Sequence, residues 1–170
     1  MEFYYEEKLS LLCDHTYQNR KQQIRREVMD KQAVAEQFMK GFDCSQVVLA
    51  ECADILGISR EEASRMSAAF GGGMGIGETC GAVIGAMIAL GMKYGHFSEE
   101  DMSQKDVMNS KRAEFIAKFT EKYGSCSCRN LLGHDLSVPG EFEIVLEEGL
   151  LFDFCPQVVS DTLKILEEVL

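Results

Sequence analysis

Seven cysteines, Cys13, Cys44, Cys52, Cys80, Cys126, Cys128 and Cys155, are spread along this 170-residue chain. A thiolate is both a nucleophile and a soft metal ligand, so the question is which of these thiols the fold could activate or gather. Four share a placement. Cys44 follows Asp43, which with Gln46 makes a capping-box pattern. Cys80 follows Thr79 at the opening of an apolar segment, Cys128 follows Ser127, and Cys155 immediately precedes Pro156, a residue favoured at the first helical position. Free backbone N–H groups and the positive end of the helix dipole gather at such starts. Both favour thiolate over thiol, so these four cysteines are expected to be acidic and reactive. Four helix starts converging would form an electropositive pocket for a thiolate cluster, with N–H groups tuning its potential. Their spacing matches no standard zinc or ferredoxin signature, and no Cys-x-x-Cys occurs, so only the tertiary fold could assemble the site. Cys52 lies in an apolar helical stripe and reads as a small buried hydrophobe.

The elements that must position these thiols centre on the stretch from Ala69 to Ala86. Gly71, Gly72, Gly73, Gly75 and Gly77 make a loop with little side-chain bulk, and Cys80 stands at the mouth of the uncharged run that follows. That run has no polar face to Met92 and predicts a buried central helix ending near Gly95. Gly81, Gly85 and Gly91 would let neighbouring backbones approach closely. The run is too short to span a bilayer. The loop lacks the Gly-Lys-Ser/Thr ending of a phosphate loop, and a helix rather than a strand precedes it, which argues against a dinucleotide fingerprint.

Around this centre the pattern predicts an all-α, compact multi-helix bundle. Residues 1–28 read as a polar N-terminal extension with a thin apolar stripe (Leu9, Leu11, Leu12, Ile24), in which Cys13 and His15 are incidental. Residues 29–170 read as one helical domain carrying the cysteines. A first helix is expected from about Glu27 to Lys40, with Val28, Ala35, Phe38 and Met39 facing the core. The second runs from Asp43 to Leu56 and stops at Gly57. Ser59 and Glu62 form another capping box, opening a helix to about Phe70. A long amphipathic helix opens at Ser98–Asp101 and ends at Gly124, with Met108, Phe115, Ile116 and Phe119 inward. A short helix follows Ser127, another lies between Val138 and Glu148, and the last buries Val159, Leu163, Leu166 and Val169. Met66, Met74, Met87 and Met92 read as core filling.

The formal net charge of −11 argues against nucleic acid or an anionic membrane as partner. The N-terminus shows no signal-peptide pattern, so the cytoplasm is the expected compartment, where clustered thiols point to metal or redox chemistry more than to structural disulfides. A homodimer would cover the extension and the apolar central helix. His134 reads as a surface-loop histidine, Asp135 as a turn cap and Glu78 as a solvated carboxylate.

Taken together, Gly41-Phe42-Asp43-Cys44-Ser45-Gln46, the glycine loop with Cys80-Gly81-Ala82-Val83-Ile84-Gly85, Cys128-Arg129-Asn130-Leu131-Leu132-Gly133-His134-Asp135 and Cys155-Pro156-Gln157-Val158-Val159 resemble the C_GCAxxG_C_C family of redox-active proteins over roughly residues 30–170. The central piece has Thr79 before and Gly81 after Cys80, so it does not spell Gly-Cys-Ala. The resemblance implies that the family cysteines are Cys44, Cys80, Cys128 and Cys155, with Cys126 an addition. A related domain in split-Soret cytochromes is associated with an iron–sulfur centre, which implies by analogy a [2Fe–2S] cluster held by these four. Covalent haem is not expected, since Cys-x-x-Cys-His is lacking. No residue is given a catalytic role. The expected activity is that of an oxidoreductase or electron-transfer accessory protein with an unknown redox partner. The alternatives are a metal-free thiol–disulfide protein, a structural zinc domain, or a helical interaction module whose cysteines are merely buried.

Overall fold

The computed structural model describes residues 28–170, so the N-terminal extension, with Cys13 and His15, lies outside the described residues. The fold is all-α. In chain order the helices are α1 (Lys31–Met39), α2 (Cys44–Leu56), α3 (Arg60–Ser67), α4 (Gly81–Tyr94), α5 (Met102–Tyr123), α6 (Cys128–Leu132), α7 (Glu141–Glu147) and α8 (Phe154–Val169). A π-helical turn, Gly73–Gly77, precedes α4. The described residues contain no strand, only an isolated antiparallel bridge between Thr79 and Ser127. No helix among them is long and apolar enough to cross a membrane.

Local signals explain most boundaries. The Gln46 side chain accepts the Asp43 N–H at 2.9 Å and starts α2. In α3 the Ser59 hydroxyl accepts the Glu62 N–H at 3.1 Å, while the Glu62 carboxylate accepts the Ser59 N–H at 2.9 Å. Gly57 and Gly124 close α2 and α5 in the left-handed conformation. Helix α1 starts later than Glu27, because Asp30 accepts the Ala33 N–H at 2.8 Å and caps it there. That phase buries Val34 and leaves Met39 exposed, the reverse of the sequence expectation for Met39. Helix α3 stops at Ser67 rather than Phe70, and its buried residues are Ala63 and Ser67, four apart.

Helix α4 is the hub. It packs most extensively on α2 and also against α5 and α8, while α8 reaches α1, α2 and α5. Seven of its residues are buried, including Gly81, Gly85 and Gly91's neighbour Leu90. Two of its glycines are required by contact. A Cβ on Gly85 would lie 2.8 Å from the Ser45 carbonyl oxygen and 3.0 Å from Val48 Cβ; one on Gly81 would lie 2.4 Å from Cys44 Sγ and 2.6 Å from the Phe70 carbonyl oxygen. Gly91 differs from expectation, since a Cβ there meets nothing within 4 Å. The buried face of α4 is thus covered within the chain, while Met92 near its end is exposed.

Phe115 and Phe119 of α5 and Val159, Leu163, Leu166 and Val169 of α8 are buried as their spacing predicts, with Met108 partly covered. Ile116 is exposed instead. So are Met66, Met74 and Met92, while Met87 alone of the four methionines packs against the core. Met66 lies off the narrow Ala63/Ser67 face of α3, and Met74 is carried outward by the glycine turn.

The contact difference between two glycines of one helix is testable. Gly85→Ala should destabilise by about 1–3 kcal/mol through overpacking against α2. Gly91→Ala should be neutral or stabilising by up to about 1 kcal/mol, from helix propensity alone. Denaturant midpoints of the two variants read the contrast.

Candidate functional site

The glycine stretch is not an open loop. Gly72, Gly73, Met74 and Gly75 take φ of 59°, 60°, 61° and 72°, four successive residues in the left-handed region. L-residues other than glycine pay roughly 1–2 kcal/mol there, so Met74 is held by its surroundings. The turn closes by the Glu78 N–H donating to the Gly73 carbonyl at 3.1 Å. Gly73 also admits its neighbours: a Cβ would stand 2.6 Å from Glu78 N and 2.8 Å from Cys128 Cβ. The chain then meets the Ser125–Cys128 segment across the Thr79–Ser127 bridge. Cys80 N–H donates to the Cys126 carbonyl at 2.8 Å, and Cys128 N–H donates to the Glu78 carbonyl at 2.6 Å. This pairing joins the start of α4 to the start of α6.

All four sequence-selected cysteines stand at helix starts. Cys44 opens α2, Cys80 caps α4, Cys128 opens α6 after Ser127, and Cys155 is the second residue of α8. Cys44 Sγ lodges against the Gly81 backbone. Every pair among the four lies within electrostatic reach, since a charge on any one raises the pKa of another: Cys44 with Cys80, Cys80 with Cys128, Cys44 with Cys128, and Cys155 with all three. Cys80 and Cys128 are buried, and Cys44 and Cys155 are half-buried. Cys52 is buried in α2 among core residues, as a small apolar side chain.

The expected acidity is overturned. Burial, reinforced by mutual repulsion among the sulfurs, pushes the Cys44, Cys80 and Cys128 thiols up to about 12, and raises Cys155 as well. The helix-start N–H groups are in place, from Gly72 and Ser45 to Cys44 and from Ala82 and Val83 to Cys80, and they lower those two pKa values. They do not outweigh desolvation and the neighbouring sulfurs, Cys80 beside Cys44, and Cys128 and Cys126 beside Cys80. Without a counter-charge the site is a set of neutral thiols.

Two neighbours were not singled out by sequence. Arg129 reaches the Ile76 carbonyl at 3.2 Å, Asp135 at 3.2 Å and Glu78 at 3.6 Å, pinning the glycine turn to α6. Its one visible signal was adjacency to Cys128. Tyr123 lies near enough to Cys80 for that sulfur's charge to raise its pKa, after burial and its hydrogen bond to Asp161. Its hydroxyl donates to Asp161 at 2.8 Å. Burial opposes ionisation of Asp161, but hydrogen bonds from Lys122, Gln157, Tyr123 and Lys164 bring it down to about 2. Asp135 caps its turn as expected, accepting from the Ser137 N–H at 3.0 Å. Glu78 is exposed.

His134 is occupied on both ring nitrogens, by Glu141 at 2.8 Å and Glu148 at 3.1 Å, so it is spoken for by the two ends of α7. Among the described residues, no three His, Cys, Asp or Glu side chains are arranged to hold a metal ion.

These features define a class: a helical protein with cysteines at four separate helix starts. Residues 42–169 match the family model described as "Putative redox-active protein (C_GCAxxG_C_C)", and the chain belongs to that family. No curated protein and no solved structure matches it.

Two outcomes follow. In metal-free protein, alkylation of Cys80 and Cys128 by iodoacetamide should be far slower than that of free cysteine at pH 7 and should still climb roughly tenfold per pH unit beyond pH 9, because only the thiolate reacts; peptide-level mass spectrometry reads it. The hydrogen bond to Glu141 raises the His134 pKa above 6.5. Its stabilising contribution is therefore complete below pH 6.5 and lost as pH rises through the folded value. An NMR titration should show the raised midpoint, and His134→Gln should flatten stability over that window.

Proposed function

We propose that this chain is an electron-transfer protein in which Cys44, Cys80, Cys128 and Cys155 hold an iron–sulfur cluster of the [2Fe–2S] kind. The observation that carries this reading is the mutual electrostatic reach of all four thiols, drawn from positions more than a hundred residues apart in sequence. Four thiolates are the donor set that such clusters take. Bound, the cluster would supply one-electron redox chemistry. Burying neutral thiols together has no packing advantage that alanine or valine would not provide, whereas gathered sulfurs become useful when cations replace their protons.

The residues around the sulfurs do the rest of the work. Gly72, Ser45, Ala82 and Val83 aim N–H groups at Cys44 and Cys80, and such hydrogen bonds to ligand sulfur set reduction potential. Arg129 holds the glycine turn over Cys128. The exposed Met74 and Ile76 at the tip of that turn offer the apolar edge by which a redox partner protein would approach the site.

Structural zinc is the weaker reading. It would use the same four thiolates around one tetrahedral ion, without redox chemistry. Anaerobically purified protein should contain iron and acid-labile sulfide and show charge-transfer absorption. Cys80→Ser should lose both, and Cys52→Ala should keep both. Zinc without sulfide would mean a structural site. Metal-free protein whose thiols pair on mild oxidation would mean thiol–disulfide chemistry instead.

A further inference from the structure

A further thiol of the matched region, Cys126, lies outside the four, yet the fold bonds its backbone to that of Cys80. The Thr79–Ser127 bridge is flanked by the Cys80 N–H to Cys126 carbonyl bond at 2.8 Å and the Cys128 N–H to Glu78 carbonyl bond at 2.6 Å. This antiparallel pattern makes Thr79 and Ser127 a non-hydrogen-bonded pair. The bridge is isolated: Cys80 is joined to Cys126 by that single backbone bond, its own carbonyl accepting from the Ile84 N–H at 3.0 Å as α4 begins, and the Cys126 sulfur lies close enough for its charge to act on Cys80. Residues joined across a regular antiparallel pair have Cα atoms about 5.5 Å apart, inside the roughly 4.4–6.8 Å that a disulfide spans. Cys128 also acts on Cys80, but it opens α6. Cys126 is also half-buried, with its sulfur 3.7 Å from the Thr120 hydroxyl, whereas Cys80 and Cys128 are buried. It is therefore the member of this trio that an external disulfide can reach.

We propose that Cys80 and Cys126 form a reversible disulfide that withdraws Cys80 from the four-thiol set, an inference that builds on the reading of that set as the redox site. The oxidant is a low-molecular-weight disulfide such as glutathione disulfide. The Cys126 sulfur attacks one glutathione sulfur; the glutathione S–S bond breaks, and the first glutathione leaves with the Cys126 proton. The Cys80 sulfur then attacks the Cys126 sulfur. The mixed disulfide breaks, and the second glutathione leaves with the Cys80 proton. Two protein thiols lose two electrons, and one glutathione disulfide becomes two glutathione thiols. Oxidation at the accessible thiol thus removes a ligand from the site, and reduction returns it.

The test uses the full chain, reduced, freed of reductant and metal, exposed to glutathione disulfide, blocked with N-ethylmaleimide and digested without reduction. The expected result is a cross-linked peptide joining Cys80 to Cys126. It should vanish in both Cys126→Ser and Cys126→Ala, with Cys80 then recovered as a blocked thiol. A link from Cys80 to Cys128, Cys44 or Cys155, or glutathione left on Cys126 with no cross-link, would overturn the proposal. Iron and sulfide content after anaerobic reconstitution separates this from the cluster reading. Cys126→Ser should load as the wild type does; loss of iron in that variant alone would make Cys126 a ligand and defeat its role as a switch. Wild-type protein that takes no iron but links Cys80 to Cys126 would support the pair and sink the cluster.

Discussion

The close approach of α4 to α2 is the constraint on which the site depends. Gly85 lets the Ser45 carbonyl come within a distance that no Cβ would tolerate, and one turn earlier Gly81 does the same for Cys44 Sγ. The Ser45 hydroxyl, donating to the Ser67 carbonyl at 2.8 Å, and the Gln46 amide, donating to the Ser64 carbonyl at 3.1 Å, lock the same end of α2 onto α3. The first residue of α2 is therefore held against the first turn of α4, so Cys44 and Cys80 meet. The left-handed turn before α4 completes the arrangement. It brings Glu78, Thr79 and Cys80 alongside Ser125–Cys128, and so adds the third thiol.

Two physical effects compete at these sulfurs, and their magnitudes decide the resting state. Helix starts and aimed N–H groups favour the thiolate, while burial and proximity of like groups favour the thiol. Burial prevails, and the Cys44, Cys80 and Cys128 thiols are pushed up to about 12. The same balance makes the site responsive to a cation. A positive centre among the sulfurs would reverse the repulsion that now raises each pKa, and the N–H donors would then act in concert with it.

Much of this could be seen in the sequence, for reasons tied to particular residues. The Asp43–Gln46 and Ser59–Glu62 boxes act within one turn of chain, so local pattern located α2 and α3. The Val159, Leu163, Leu166 and Val169 stripe has a single inward face, so periodicity alone was enough for α8. The placement of four cysteines at helix starts followed from the same local signals. What escaped the sequence depends on contacts between distant segments. Thiol acidity is set by what surrounds each sulfur in space. The positive φ of Met74 is imposed by the glycines around it and the bridge beyond. The pairing of Cys80 with Cys126 and the reach of Arg129 to Ile76 join segments some fifty residues apart, which no spacing rule links.

If four thiols from four helix starts act as one site, ligands bind them as one, and a protection footprint reads this directly. Protein reconstituted anaerobically with ferrous iron and sulfide would be pulsed with a thiol-alkylating reagent, unfolded after quenching, and read peptide by peptide against the metal-free control. Cys44, Cys80, Cys128 and Cys155 should become protected together and to the same extent, with Cys126 remaining as reactive as in the control. Protection confined to one or two of the four, or none beyond that in the metal-free protein, would contradict it.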